Sequence, residues 1–206
     1  MSRSIDILTE AFAKFPGIGK RQARRMVYFL MRKNKSFTHD LSYALTHIHD
    51  NLALCSESYQ YFYKQTPNET RSPIARDMSR DRTRILIVEK DTDLESIEKT
   101  GIYKGTYFVL GGLTPVVDTK FNPVREHELI AEITRRATEE SLSEIIFALS
   151  VNPESDHTYT VLTQKIQPLG VQYGFTISQL GRGLSTGSEL EYADTDTLEH
   201  AFNKRS

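Results

Sequence analysis

The chain has 206 residues, 38% of them hydrophobic and 26% charged, with a single cysteine and a formal net charge of −1. That length suits one or two compact units with appendages, and no apolar run approaches the ~18–20 residues of a membrane span. The lone Cys55 rules out an intrachain disulfide and fits a reducing, cytoplasmic setting, and the start MSRSIDILTEAF lacks the apolar stretch of a secretory leader.

The first segment predicts two short helices around a glycine turn. Ser4 is placed to cap a helix in which Ile5, Leu8, Phe12 and Phe15 recur at helical spacing, and Pro16 and Gly17 stop it. After the turn Pro16-Gly17-Ile18-Gly19, a second helix starts near Lys20 or Arg21. Its Ala23, Met26, Val27, Leu30 and Met31 follow i, i+3, i+4, i+7, i+8 and define a buried stripe. From Ala11 to His39 there is no acid, yet Lys14, Lys20, Arg21, Arg24, Arg25, Arg32, Lys33 and Lys35 all fall there. The opposite end, Gly183 to Asn203, has no Lys or Arg but carries Glu189, Glu191, Asp194, Asp196 and Glu199. The near-neutral total therefore conceals a basic head and an acidic tail, and the head is a candidate polyanion site.

The turn gives this head a mechanism. Two glycines allow tight backbone geometry and leave amide N–H groups unobstructed at a helix N-terminus, where the helix dipole, Lys20 and Arg21 favour a phosphate. The unit looks like a helix-hairpin-helix, a binder of the nucleic-acid backbone without base readout. The plainer alternative is a helical hairpin whose glycines only make the bend. A third helix, from about Thr38 to Leu54 with Leu41, Leu45, Ile48 and Leu52 on one face, is expected to cover the hairpin as core.

Residues 55–84 read as irregular. Tyr59, Tyr61 and Tyr63 alternate as in a strand, with Phe62 between, and Pro67 and Pro73 bracket a polar loop. Cys55 reads as a packed small side chain. From Arg84 onward the pattern alternates between strands and helices. Strands are expected at Ile85–Glu89, Thr106–Gly112, Glu144–Ser150 and Val171–Leu180, and helices near 93–99, 126–138 and 157–169. That alternation predicts a parallel α/β sheet, whose ligand edge lies at the strand carboxyl ends. Glu89 sits at one such end, and Glu154 and Asp156 follow another. Such acids are suited to a hard divalent ion, to a basic partner surface or simply to solvent. After the sheet comes a glycine- and acid-rich stretch, Gly181–Asp194. A short terminal helix follows, with Leu198, Ala201 and Phe202 on one side, too short to be stable unless it docks.

Three strings, FPGIGKRQARRM, ILIVEKDTDLESIEKTGIYKGTYFVLGG and SQLGRGLSTGSELEYAD, occur in the order found in the RecR family of bacterial recombination mediators, which the whole chain resembles. The resemblance implies an α+β chain of several subdomains. These are a helix-hairpin-helix DNA-binding region (1–54), a small finger (55–83), an α/β Toprim domain with a parallel sheet (84–180) and a carboxyl-terminal assembly segment (181–206). It implies a ring-like homotetramer, or a dimer, that binds single- and double-stranded DNA without sequence preference. With a RecO-like protein, and a RecF-like protein in some cases, such an assembly loads recombinase onto single-stranded DNA in recombinational repair, and the family is not known for enzymatic activity. On the matching positions, Gly17, Gly19, Lys20, Arg21, Arg24 and Arg25 are expected to hold DNA. Glu89, Asp93, Glu154 and Asp156 are expected to meet the partner.

One departure concerns the finger. Family members carry two CxxC pairs there, whereas the four positions here are Cys55, Ser58, Ser72 and Ala75. One thiol cannot make a four-ligand zinc site, so the finger is expected without zinc, with Tyr59, Tyr61, Phe62 and Tyr63 supplying a small apolar cluster instead. Toprim enzymes carry an Asp-x-Asp pair where Glu154 and Asp156 match the family's own altered acidic pair, with Ser155 standing where the family usually has a glycine-containing turn. The lack of a clean Asp-x-Asp counts against the alternative of a magnesium-dependent Toprim nuclease or primase. A third alternative makes the chain a pure assembly scaffold. No cofactor is expected under the leading reading.

Overall fold

The computed structural model describes residues 3–117 and 123–181, and the chain falls into two units, Met1–Leu52 and Ala53–Ser206. The acidic tail and its expected terminal helix lie outside the described residues.

In the first unit, α1 spans Arg3–Phe12, α2 Lys20–Met31 and α3 Lys35–Thr46. Ser4 lies inside α1 and not at its cap. The helix tightens after Phe12, with Lys14 and Phe15 amides donating to Ala11 and Phe12 carbonyls, because the residue before Pro16 is barred from helical geometry. Gly17 then takes φ +74°, the left-handed region that suits glycine. The α1–α2 hairpin forms as expected, but its core is smaller than the apolar stripe suggests. Ala23 and Val27 are buried, whereas Met26 and Met31 are exposed.

Helix α3 departs further from expectation. The Asn34 side chain caps it, accepting from the Phe37 amide at 2.9 Å, and it ends at Thr46 instead of running to Leu54. None of its residues is buried. Its link to α2 includes an edge-on Phe29–Phe37 contact, with the Lys33 ammonium over both rings. Leu41 and Leu45 line two open apolar clefts of about 670 and 690 Å³ shared with Phe12 and Leu30. Leu45 and Ile48 stay half exposed, and Leu52 enters a strand. The expected core is thus an uncovered apolar face.

The second unit opens with a two-stranded ribbon of β1 (Leu52–Leu54) and β2 (Tyr61–Tyr63), followed by the single-turn α4 (Pro73–Arg76). Then come β3 (Asp81–Val88), α5 (Asp91–Thr100), β4 (Gly105–Val109), α6 (Glu126–Glu139), β5 (Glu144–Ala148), α7 (Pro153–Tyr173) and β6 (Thr176–Gln179). All pairings in the main sheet are parallel, in the order β4-β3-β5-β6. Residues Val171–Tyr173, expected in the last strand, instead extend α7 until Gly174, at φ +81°, ends it.

The apolar run of β3 fills both faces of the sheet, as a buried parallel strand should. Ile85 and Ile87 join Phe108, Leu129, Ile133, Phe147, Leu162 and Ile166 on the side of α6 and α7. Leu86 and Val88 join Leu94, Tyr107 and Val109 on the side of α5. Burying each such side chain contributes about 1.5–3 kcal/mol. Because α5 and α7 lie on opposite faces, the chain turns opposite ways after β3 and after β5, which makes the carboxyl ends of these neighbours a topological switch point. No described helix is long and apolar enough to cross a membrane.

Candidate nucleic-acid interface and acidic edge

Gly19 is the N-cap of α2, at φ −78° and ψ 163°, and no side chain caps the helix. The first-turn amides are thus left to an outside acceptor, and the helix dipole adds partial positive charge there. Open space surrounds the Cα atoms of both Gly17 and Gly19, so the turn presents bare backbone.

The four basic residues split into two rows at i, i+4 spacing. Lys20 and Arg24 border a cleft of about 240 Å³ with Asp6, Thr9 and Glu10 of α1, and the Arg24 guanidinium lies 3.6 Å from the Asp6 carboxylate. Arg21 and Arg25 are exposed, and Arg25 donates to Gln22 Oε1 of its own helix at 3.3 Å. The structure therefore brings all six expected residues to one end of α2, with Arg21 and Arg25 less engaged by acids than their neighbours.

At the sheet edge, Glu89 follows β3 and is mostly buried, with Lys90 Nζ 3.9 Å away. Asp93 accepts from the Lys90 amide at 3.2 Å and so caps α5. Glu154 and Asp156 are exposed in the first turn of α7, either side of the buried Ser155, and Asn152 caps that helix by accepting from the Ser155 amide. Among the described residues, no three His, Cys, Asp or Glu side chains gather so as to hold a metal ion.

The four finger positions do meet. Cys55 is fully buried beside Phe62 and Ala75, and its Sγ accepts from the Ser58 amide at 3.5 Å and the Ser72 amide at 3.3 Å. Burial pushes the Cys55 thiol up, but the Ser58 hydroxyl and the Ser72 and Ser58 amides outweigh it and hold the thiol below its ordinary value. The Ser72 hydroxyl accepts from the Ala75 amide, and the Ser58 hydroxyl donates to Gln60 Oε1. One thiol, two engaged hydroxyls and a methyl group do not fit tetrahedral zinc. The expected tyrosine cluster also differs: Tyr61 and Tyr63 are exposed, while Tyr59 packs into the main core against Phe108, ring centroids 5.2 Å apart.

Several linking residues escape sequence reasoning. Asp91 accepts from the Tyr61 amide at 2.8 Å. Arg125 donates to the carbonyls of Tyr59 and Val109, each at 2.9 Å. Arg82 forms a two-pronged pair with Glu140 and also reaches Glu57 in the finger. Against the cost of burial, hydrogen bonds from Arg82 and Arg135 bring Glu140 down to about 2. Only Asp91, adjacent to the acids already noted, carried any signal in the sequence.

Three family models match the chain: RecR, helix-hairpin-helix over residues 5–49, the Toprim domain over 83–180, and RecR, C-terminal over 183–206. The chain is similar to the Recombination protein RecR of Chlorobium phaeobacteroides (strain DSM 266 / SMG 266 / 2430), 32% identical over 100% of this chain and 97% of the relative. It is also similar to the Recombination protein RecR of Chloroflexus aggregans, 35% identical over 96% of this chain and 91% of the relative.

Proposed function

The chain belongs to the RecR family of recombination proteins, and from that premise we propose that it is a non-catalytic, DNA-binding mediator of recombinational repair. The observation that carries this reading is the uncapped N-terminus of α2 behind the Gly17–Gly19 turn, with Lys20, Arg21, Arg24 and Arg25 around it. A phosphate seated there receives backbone amides and guanidinium charge at once. Nothing in that contact reads a base, so single and double strands of any sequence are the expected ligands.

In this reading the acids Glu89, Asp93, Glu154 and Asp156 form a surface for a basic partner, a RecO-like protein acting with or without a RecF-like one to load recombinase on single-stranded DNA. Asp93, by accepting from the Lys90 amide, also fixes the start of α5 within that surface. The uncovered apolar face of α3 favours self-assembly, with a homotetramer as the proposed state.

The experiment is fluorescence anisotropy of a labelled oligonucleotide titrated with the full chain at several salt concentrations. Salt-sensitive binding that ignores sequence, weakened in an Arg21→Ala, Arg25→Ala chain, is expected. Absence of binding at low salt, or unchanged affinity in that variant, overturns the site. Magnesium-dependent cleavage of DNA that is lost in Glu89→Gln overturns the non-catalytic role.

A further inference from the structure

The finger brings Cys55, Ser58, Ser72 and Ala75 together in a donor set that cannot hold zinc, so something else must close it. A segment of this size, with two three-residue strands and one helical turn, buries too little to be stable alone. Three groups of contacts supply the closure, one inside the finger and two that reach into the neighbouring sheet domain.

The first is at the centre. The Cys55 sulfur gathers the Ser58 and Ser72 amides, drawing together the two loops that metal ligands would otherwise join. The second is an arginine clamp. Both Arg71 and Arg82 donate to the carbonyl of Ala75, the position where a fourth ligand would stand, at 2.6 and 3.1 Å. The same two guanidiniums hold Glu57, at 2.8 and 3.3 Å, and Arg82 is fixed in turn by Glu140 at the end of α6. The third is Tyr59. Its backbone sits at φ +54°, a conformation that tyrosine rarely adopts without compensation. That geometry accompanies a ring packed against Phe108 in the main core, an Arg125 bond to its carbonyl, and a 2.8 Å bond from the Val109 amide to the Ser58 carbonyl.

We infer that the finger is a metal-independent module, closed by the Arg71–Arg82 clamp and by the Tyr59 ring anchored in the sheet domain, so that its stability is borrowed from that domain and not from a bound ion. The two roles are separable: the sulfur sets the local turn geometry, and the clamp and ring supply the long-range hold.

The test uses the purified full chain. Elemental analysis is expected to find no zinc above the buffer blank, and excess chelator is expected to leave the melting temperature unchanged. Near-stoichiometric zinc, or a melting temperature lowered by chelator, overturns the inference. Hydrogen exchange then addresses the hold. In Tyr59→Ala the amides of Ser58 and Ser72 should exchange at least about tenfold faster, while Tyr59→Phe, which keeps the ring, leaves them as in the parent. Parent-like exchange in Tyr59→Ala overturns the anchoring role. Should Tyr59→Ala not fold, Arg71→Gln provides the same readout, with faster exchange at Ala75 expected and parent-like exchange overturning the clamp.

Discussion

The Asp91 carboxylate accepts a hydrogen bond from the Tyr61 backbone amide at 2.8 Å, joining the start of α5 to β2 of the finger ribbon. An acid beside Glu89 and Asp93 is therefore committed to holding the finger. Asp91→Ala should cost about 1 kcal/mol and raise exchange at the Tyr61 amide, whereas Asp91→Asn, which keeps an acceptor oxygen, should cost less. Amide exchange and thermal melting of the two variants check this.

The hairpin invites a substitution that separates folding from binding. Gly19 has an ordinary φ and open space around it, so Gly19→Asp places a capping carboxylate at the N-terminus of α2 without strain. Helix stability should hold or rise by up to about 1 kcal/mol, while DNA affinity falls because the new charge occupies the phosphate position. Melting and anisotropy measured on the same sample should move in opposite directions.

Gly17 is different, because its φ of +74° is the constraint and not the surrounding space. Gly17→Ala should destabilise the first unit by about 1–2 kcal/mol through backbone strain. The helical signal in circular dichroism during thermal melting reads this out.

Neutralising Arg21 and Arg25 together should weaken binding to all sequences alike and make the slope of log K against log salt shallower by about 1.8, near 0.9 for each lost contact. Removing Arg24 should do less, since Asp6 already shares its charge. Titrations at four or five salt concentrations with two unrelated sequences test both statements.

Glu140 makes stability depend on acid. Its carboxyl lies at about 2 in the folded chain against an ordinary 4.5, so its contribution is complete above about pH 4.5 and is lost as pH falls toward 2. That contribution is on the order of 3 kcal/mol. Glu140→Gln should be less stable at neutral pH by a similar amount and should lack this part of the acid limb. Urea unfolding at pH 7, 4 and 3 measures the difference.

The sheet was the most legible part of the sequence, because the apolar run Ile85–Val88 and the stretch around Thr106–Val109 have few alternatives to a buried parallel strand. The end of α3 was not legible. Ile48 and Leu52 continue the helical spacing of Leu41 and Leu45, but Leu52 pairs in the ribbon with β2, a tertiary contact that spacing cannot reveal. Val171 and Tyr173 favour strands by composition, and the better guide was Gly174, the left-handed stop of α7. In the candidate site the glycine turn and basic residues were readable because they are contiguous. The Glu57–Arg82–Glu140 link was not, since its members lie far apart in the chain and each reads as an ordinary surface charge.

The same finger has a chemical consequence for a protein that belongs to DNA repair. A centre of four thiolates is itself a target for peroxide, because each oxidised sulfur is a lost ligand. Here the one sulfur is fully buried, and the rest of the closure is made of guanidinium, carboxylate and phenol groups that peroxide leaves intact. A finger closed in this way should therefore lose less of its structure to peroxide than a four-thiolate centre would.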